Sequence, residues 1–176
     1  MPGALQAFGM VARVWMAIDA ARFRQVLARF ASGVTVITAF DEGKLHGATA
    51  SAFCSLSLDP PLVLVCLDLK SNTKALIDRS GVFGVNILAD VQRWHSDLFA
   101  RKTVSDAELA RVSHRHSPHG MPILDDTVAY LECRVHAKYP GGDHEIYVGE
   151  VLDGATRPGR PLIYYEGKYR RLGGEV

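Results

Sequence analysis

The sequence predicts a mainly β protein, a closed antiparallel barrel with helices at its periphery. Three observations point there. From Ala129 to Lys138, apolar Ala129, Leu131, Cys133, Val135 and Ala137 alternate with Tyr130, Glu132, Arg134, His136 and Lys138, the period of a half-buried antiparallel strand. Short β-branched runs recur, separated by turns rich in Gly, Pro and Asp, giving about seven strands and three or four helices. Strand–helix–strand repeats are few, which argues against a doubly wound sheet.

The elements follow in order. Asp19 is a good N-cap, and Phe23, Val26, Leu27 and Phe30 form one apolar helical face that Gly33 stops. Val34 to Phe40 is a strand, Asp41-Glu42-Gly43-Lys44 a hairpin turn, and Leu45 to Ala52 the return. Asp59-Pro60-Pro61 is a rigid turn, because proline fixes φ and donates no hydrogen bond. Leu62 to Leu67 is continuously apolar and predicts a strand buried on both faces. A short helix over Thr73 to Ser80 ends at Gly81, and Val82 to Ile87 is a strand. Val91, Trp94, His95, Leu98 and Phe99 mark a second amphipathic helix, and Ser105-x-x-Glu108 is a capping box for a third. Residues 113–122 read as a solvated loop, and the region around 101–120 as a mobile insertion. After Pro140-Gly141-Gly142-Asp143, Glu145 to Leu152 is a strand. Leu162 to Tyr165 and Tyr169 to Leu172 close the chain around turns at Arg157-Pro158-Gly159 and Glu166-Gly167.

Composition bounds the function. The chain has 176 residues, 48% hydrophobic and 22% charged, with net charge +1, which fits one domain with a sizeable core. Lys and Arg are scattered, so neither nucleic acid nor an anionic membrane surface is indicated. No apolar run approaches the roughly 20 residues of a membrane helix. Residues 1–18 read as an N-terminal extension ahead of one domain over 19–176; the start lacks a secretory signal, and Met10 and Met16 each offer an alternative start. Cys54, Cys66 and Cys133 are far apart, odd in number and set in apolar strands, which favours reduced, buried thiols in the cytoplasm.

Three stretches carry candidate chemistry. Gly47 to Ala52 is a run of small residues, either packed under a helix or holding Thr49, Ala50 and Ser51 with backbone amides toward a flat ligand. Ser71-Asn72-Thr73-Lys74 is either a helix cap or, with its orphan amides, hydroxyls and one cation, an anion site. Gly142-Asp143-His144 is either a plain turn or a contact for an incoming nucleotide. His114, His116 and His119 match no zinc spacing, so no metal is expected. Gly-x-Ser-x-Gly, Gly-x-Gly-x-x-Gly and Walker A sequences are absent.

The motifs FRQVLARFASGVTVIT, HGATASAFCSLSLDPPLVLVCLD, SNTKALI, FGVNIL, GDHEIYVGEV and PLIYYEGKYRRL follow one another over residues 20–172. In this order and spacing the chain resembles the short flavin reductases of two-component monooxygenases, proteins of the FMN-binding split-barrel fold. The resemblance implies a homodimer that uses NADH or NADPH to reduce FMN or FAD for a separate monooxygenase. It implies that Thr49, Ala50, Ser51 and Ala52 lie along the flavin ring, with Ser55 near its pyrimidine side. Cys66 and Asp68 would line the site, Ser71, Thr73 and Lys74 take phosphate, and His144 and Tyr169 stand on the nicotinamide side. Two alternatives stay open: another FMN-dependent split-barrel oxidase, and a flavin binder without activity.

Overall fold

The computed structural model describes residues 16–41 and 43–174. The readings of residues 1–15 and of Glu42 therefore lie outside the described residues.

The centre is a seven-stranded antiparallel sheet. Its strands are β2 (Thr35–Asp41), β3 (Lys44–Ala50), β4 (Phe53–Leu58), β5 (Pro61–Asp68), β6 (Val82–Ile87), β9 (Ala129–Gly141) and β10 (His144–Thr156). They pair in the order β3-β2-β6-β9-β10-β5-β4. The sheet curls until β3 comes back beside β5, and the two approach without forming a ladder. The barrel is therefore split. The Cys66 N–H donates to the Ala52 carbonyl at 3.0 Å, which extends the β4–β5 ladder by one pair beyond Phe53 and Val65. Because β3 is an edge strand, every second amide between Gly47 and Ser51 points away from β2 and into the seam.

Helix α2 (Asn72–Ser80) plugs the barrel, with Leu76 and Ile77 joining Ile37, Val65, Phe83, Val85 and Tyr147 in the inner core. Gly81 ends it in the left-handed region at φ 70°, as expected for a glycine cap. A second apolar layer lies outside the sheet, where Leu98 and Phe99 of α3 (Arg93–Phe99) meet Leu45, Val36 and Leu88. A short helix α4 (Asp106–Leu109) follows, opened by a complete Ser105–Glu108 capping box. The small strands β1 (Ser32–Gly33), β11 (Leu162–Tyr165) and β12 (Lys168–Arg171) form a separate sheet.

Several expectations are corrected. Helix α1 (Ala20–Leu27) has the Asp19 cap, but none of its side chains is buried, and Gly33 pairs with Ile163 rather than stopping it. Strand β5 alternates: Val63, Val65 and Leu67 are buried while Leu64 and Cys66 are half-buried, because its outer face looks toward the seam. Cys54 is exposed, since β4 is the free edge of the sheet. Strand β4 (Phe53–Leu58) follows the Leu45 to Ala52 return and adds a strand between it and the Asp59-Pro60-Pro61 turn. The segment 113–122 contains β7 (His114–His116), paired with β8 (Pro122–Leu124), so it is structured. Its histidines are each engaged: His114 Nδ1 contacts the Val112 carbonyl at 3.0 Å, His116 packs edge-on against Phe40, and His119 meets the buried Glu132 carboxylate at 2.8 Å.

Candidate active site

The seam between β3 and β5 opens into a cleft of about 520 Å³. Strand β3 and the Ser51–Ala52 turn form its floor, the end of β5 and the start of α2 one wall, and the segment from Phe99 to Leu109 the other. His144 joins from the β9–β10 hairpin.

Strand alternation sorts the side chains. On β3, Ala48 and Ala50 turn into the inner core, while Leu45 meets the outer layer. Gly47 and Thr49 meet α3: Thr49 Oγ1 donates to the Ser96 carbonyl at 2.8 Å, and a Cβ at Gly47 would lie 2.7 Å from Phe99 Cδ1. The small-residue run is thus packed under a helix and also lines the cleft. On the far wall His144 pairs with Asp68, and Ile146 with Cys66. These residues share one face, while Val65, Leu67 and Tyr147 fall on the buried one.

Ser71 caps α2 and its hydroxyl accepts from the Lys74 amide at 3.4 Å, at the long end for a hydrogen bond. Ser71, Asn72 and Thr73 line the cleft, so the orphan amides of the first turn stand at its wall. Lys70 is beside them, its amide donating to Asp68 Oδ1 at 2.7 Å. This fits a phosphorylated flat ligand: free amides over the floor, and hydroxyls, amides and a cation at one end. His144 Nδ1 lies 2.7 Å from Asp143 Oδ1, and this contact holds the Asp143 carboxyl below its ordinary range. The pairing leaves Nε2 as the free end of the ring. Burial, then the neighbouring Cys54, pushes the Cys66 thiol up.

Nine of the expected residues meet at the cleft: Thr49, Ala50, Ser51, Ala52, Cys66, Asp68, Ser71, Thr73 and His144. Three stand elsewhere. Ser55 is exposed on β4. Tyr169 is pinned to α3, its hydroxyl 2.7 Å from Asp97 Oδ1 and 2.9 Å from Ser96 Oγ. Burial and the Asp97 contact push its phenol up. The Lys74 ammonium lies 2.7 Å from both Asp78 and Glu145, away from the cleft. Sequence reasoning missed Lys44, Lys70, Phe99, Arg101 and Lys102 on the cleft walls. Lys70 was findable, because it adjoins Ser71; the others come from segments that only folding brings to β3.

A family model described as a flavin reductase like domain matches residues 27–173. The chain belongs to the flavin reductase-like family. It is 42% identical to the reductase component of a 4-nitrophenol 4-monooxygenase/4-nitrocatechol 2-monooxygenase from Rhodococcus opacus, over 91% of this chain and 85% of that one. It is 40% identical to an NADH-dependent flavin reductase from a Rhodococcus species, over 85% and 84% of the two chains. Among solved structures, the NADH:FAD oxidoreductase of Streptomyces globisporus, determined with NAD and FAD fragments, superposes with a TM-score of 0.84 at 32% identity. That match covers 90% of this chain and 95% of the other. The flavin reductase-like fold is of the split-barrel type, which accounts for the unpaired seam.

Proposed function

We propose that this flavin reductase-like protein is the reductase component of a two-component monooxygenase. It takes NADH or NADPH as hydride donor, reduces FMN or FAD, and releases reduced flavin to a separate oxygenase. The observation that carries the reading is the seam cleft, with free strand amides on its floor, a helix N-terminus at one end and His144 on the facing hairpin.

The two nucleotides supply the chemistry, hydride passing from nicotinamide C4 to flavin N5. The protein's part is to bind, orient and exclude. Residues Thr49 to Ala52 would lie along the flavin ring, with free amides of this edge stabilising the charge that accumulates on reduction. Cys66 and Asp68 close the β5 side, Ser71 and Thr73 hold phosphate at the start of α2, and His144 orients the nicotinamide. No general base is required, so the Asp143–His144 pair at the cleft needs only to orient the nicotinamide. Tyr169 acts from outside the cleft by bracing α3 from β12, while Thr49 holds α3 on β3. The chain works as a single domain over residues 19–176 behind an extension, as a homodimer in the cytoplasm. The homodimer covers apolar faces left open here, above all Phe23, Val26, Leu27 and Phe30 of α1 and its following turn.

The test is NADH oxidation with FMN or FAD added. The reading expects rapid turnover and reduced flavin that separates from the protein on gel filtration. Flavin binding without NADH oxidation would make the chain a binder, and flavin that stays bound through turnover would make it a flavoprotein oxidase.

A further inference from the structure

We propose that Lys74 serves as a clamp between helix α2 and strand β10 rather than as a phosphate ligand, and that this clamp sets His144 relative to the phosphate end of the cleft. The inference rests on the flavin reductase reading and deepens it.

Ser71, Asn72 and Thr73 face the cleft, and Lys74 is the next residue of the same turn. Its side chain is only 14% exposed and turns the other way. The ammonium meets Asp78 Oδ2 at 2.7 Å on its own helix and Glu145 Oε2 at 2.7 Å on β10. Glu145 directly follows His144, and alternation along a strand sends the two side chains to opposite faces. His144 therefore looks into the cleft while Glu145 is held from behind.

Other groups close the cluster. Lys138 Nζ reaches Asp78 Oδ1 at 2.6 Å from β9, where Lys138 stands opposite Tyr147. The Tyr147 hydroxyl donates to Asp78 Oδ1 at 2.7 Å and lies 3.1 Å from Glu145 Oε2. The Lys74 and Lys138 ammonium groups stand 6.0 and 5.8 Å from the Tyr147 ring centroid. Two cations, two carboxylates and a phenol thus balance in charge and in hydrogen bonds, the condition under which half-buried ions are tolerated. Burial would push the Asp78 carboxyl up, but hydrogen bonds from Lys138, Lys74 and Tyr147 outweigh it and hold it well below its ordinary range. The Lys74 bond likewise lowers Glu145, so the cluster stays ionised at neutral pH. A phosphate at the start of α2 would face an ammonium already neutralised by two carboxylates. Ser71, Thr73 and the first-turn amides, with Lys70, are left to hold it.

Riboflavin, which lacks the phosphate, separates the two roles. Lys74→Met and Glu145→Gln are compared with wild type for FMN affinity, riboflavin affinity and the KM for NADH. The clamp predicts that both substitutions raise the KM about five- to tenfold while kcat falls less, and that FMN and riboflavin affinities change by the same factor. The double variant should be no worse than the poorer single one, and Lys74→Arg should restore most of the loss. Selective loss of FMN affinity by about tenfold in Lys74→Met, with riboflavin unchanged, would make Lys74 a phosphate ligand and overturn the proposal. An unchanged KM in both variants would overturn it too. Should Lys74→Met fail to fold, Glu145→Gln and Lys74→Arg decide the question by the same measurements. A wild-type protein that oxidises no NADH defeats the reductase reading on its own, whatever the variants do to flavin binding.

Discussion

His144 and the cysteines carry the predictions that belong to single residues. Asp143 fixes the His144 ring at Nδ1 and leaves Nε2 for a ligand. His144→Ala should raise the KM for the nicotinamide nucleotide about fivefold, the worth of one hydrogen bond, and leave the flavin dissociation constant within about twofold. An unchanged KM would remove His144 from that role. The cysteines divide by setting. Cys133 is fully buried, and burial, then Glu132, pushes its thiol up to about 12, so it should resist thiol reagents until the protein unfolds. Cys54 is exposed and should react first, and Cys66, on the cleft wall, should be protected by added FMN. Mass spectrometry of the alkylated protein reads all three. The small-residue floor, the hydroxylated helix start and His144 were legible in the sequence as residue types. What each side chain touches was not, because Lys74 and Tyr169 find partners far away in the chain.

At the scale of elements, α3 is held on β3 by close approach. Gly47 gives room for Phe99, so Gly47→Ala should cost about 1–3 kcal/mol, as overpacking does, and weaken flavin binding by displacing the floor. Thermal melts with and without FMN measure both effects, and Phe99→Leu in the same chain should relieve them. The neighbouring wall has its own pH dependence. The Arg101 guanidinium, with the Ser105 hydroxyl and amide, holds the Glu108 carboxyl down to about 2, against an ordinary value of 4.5. A lowered carboxyl stabilises the folded state above its ordinary value, and that contribution is lost as pH falls toward 2. Amide exchange protection over residues 105–109, corrected for intrinsic rates, should hold above pH 4.5 and decline below it. In Glu108→Gln the decline should vanish. The capping box was readable, since Ser and Glu at that spacing interact within one turn. That it walls the cleft was not, because Lys44 and Phe99 reach it only through the fold.

For the whole molecule, the uncovered apolar surface is the main clue. Phe30 is 76% exposed and Leu58 95%, and Phe23 and Val26 lie on the same side of α1. Sedimentation should show a dimer, and Phe23→Glu with Phe30→Glu should yield a monomer with an unchanged far-UV spectrum. A monomeric wild type would sink the homodimer. The helical period of α1 was plain in the sequence, yet it promised a buried face that the single chain does not supply. Period reports which residues share a face, whereas burial depends on what is folded against it.

The sequence by itself determined the mainly antiparallel β character, the Asp19 cap of α1 and the Gly81 cap of α2, since these follow from local period and turn chemistry. It also determined the family, through six motifs in register. The tertiary structure decided that β3 and β5 approach without pairing, which is where the cleft opens. It decided as well that Lys74 turns away from that cleft. Both outcomes depend on how a twisted sheet closes and on charges distant in sequence meeting at one place, and neither is encoded within any one segment.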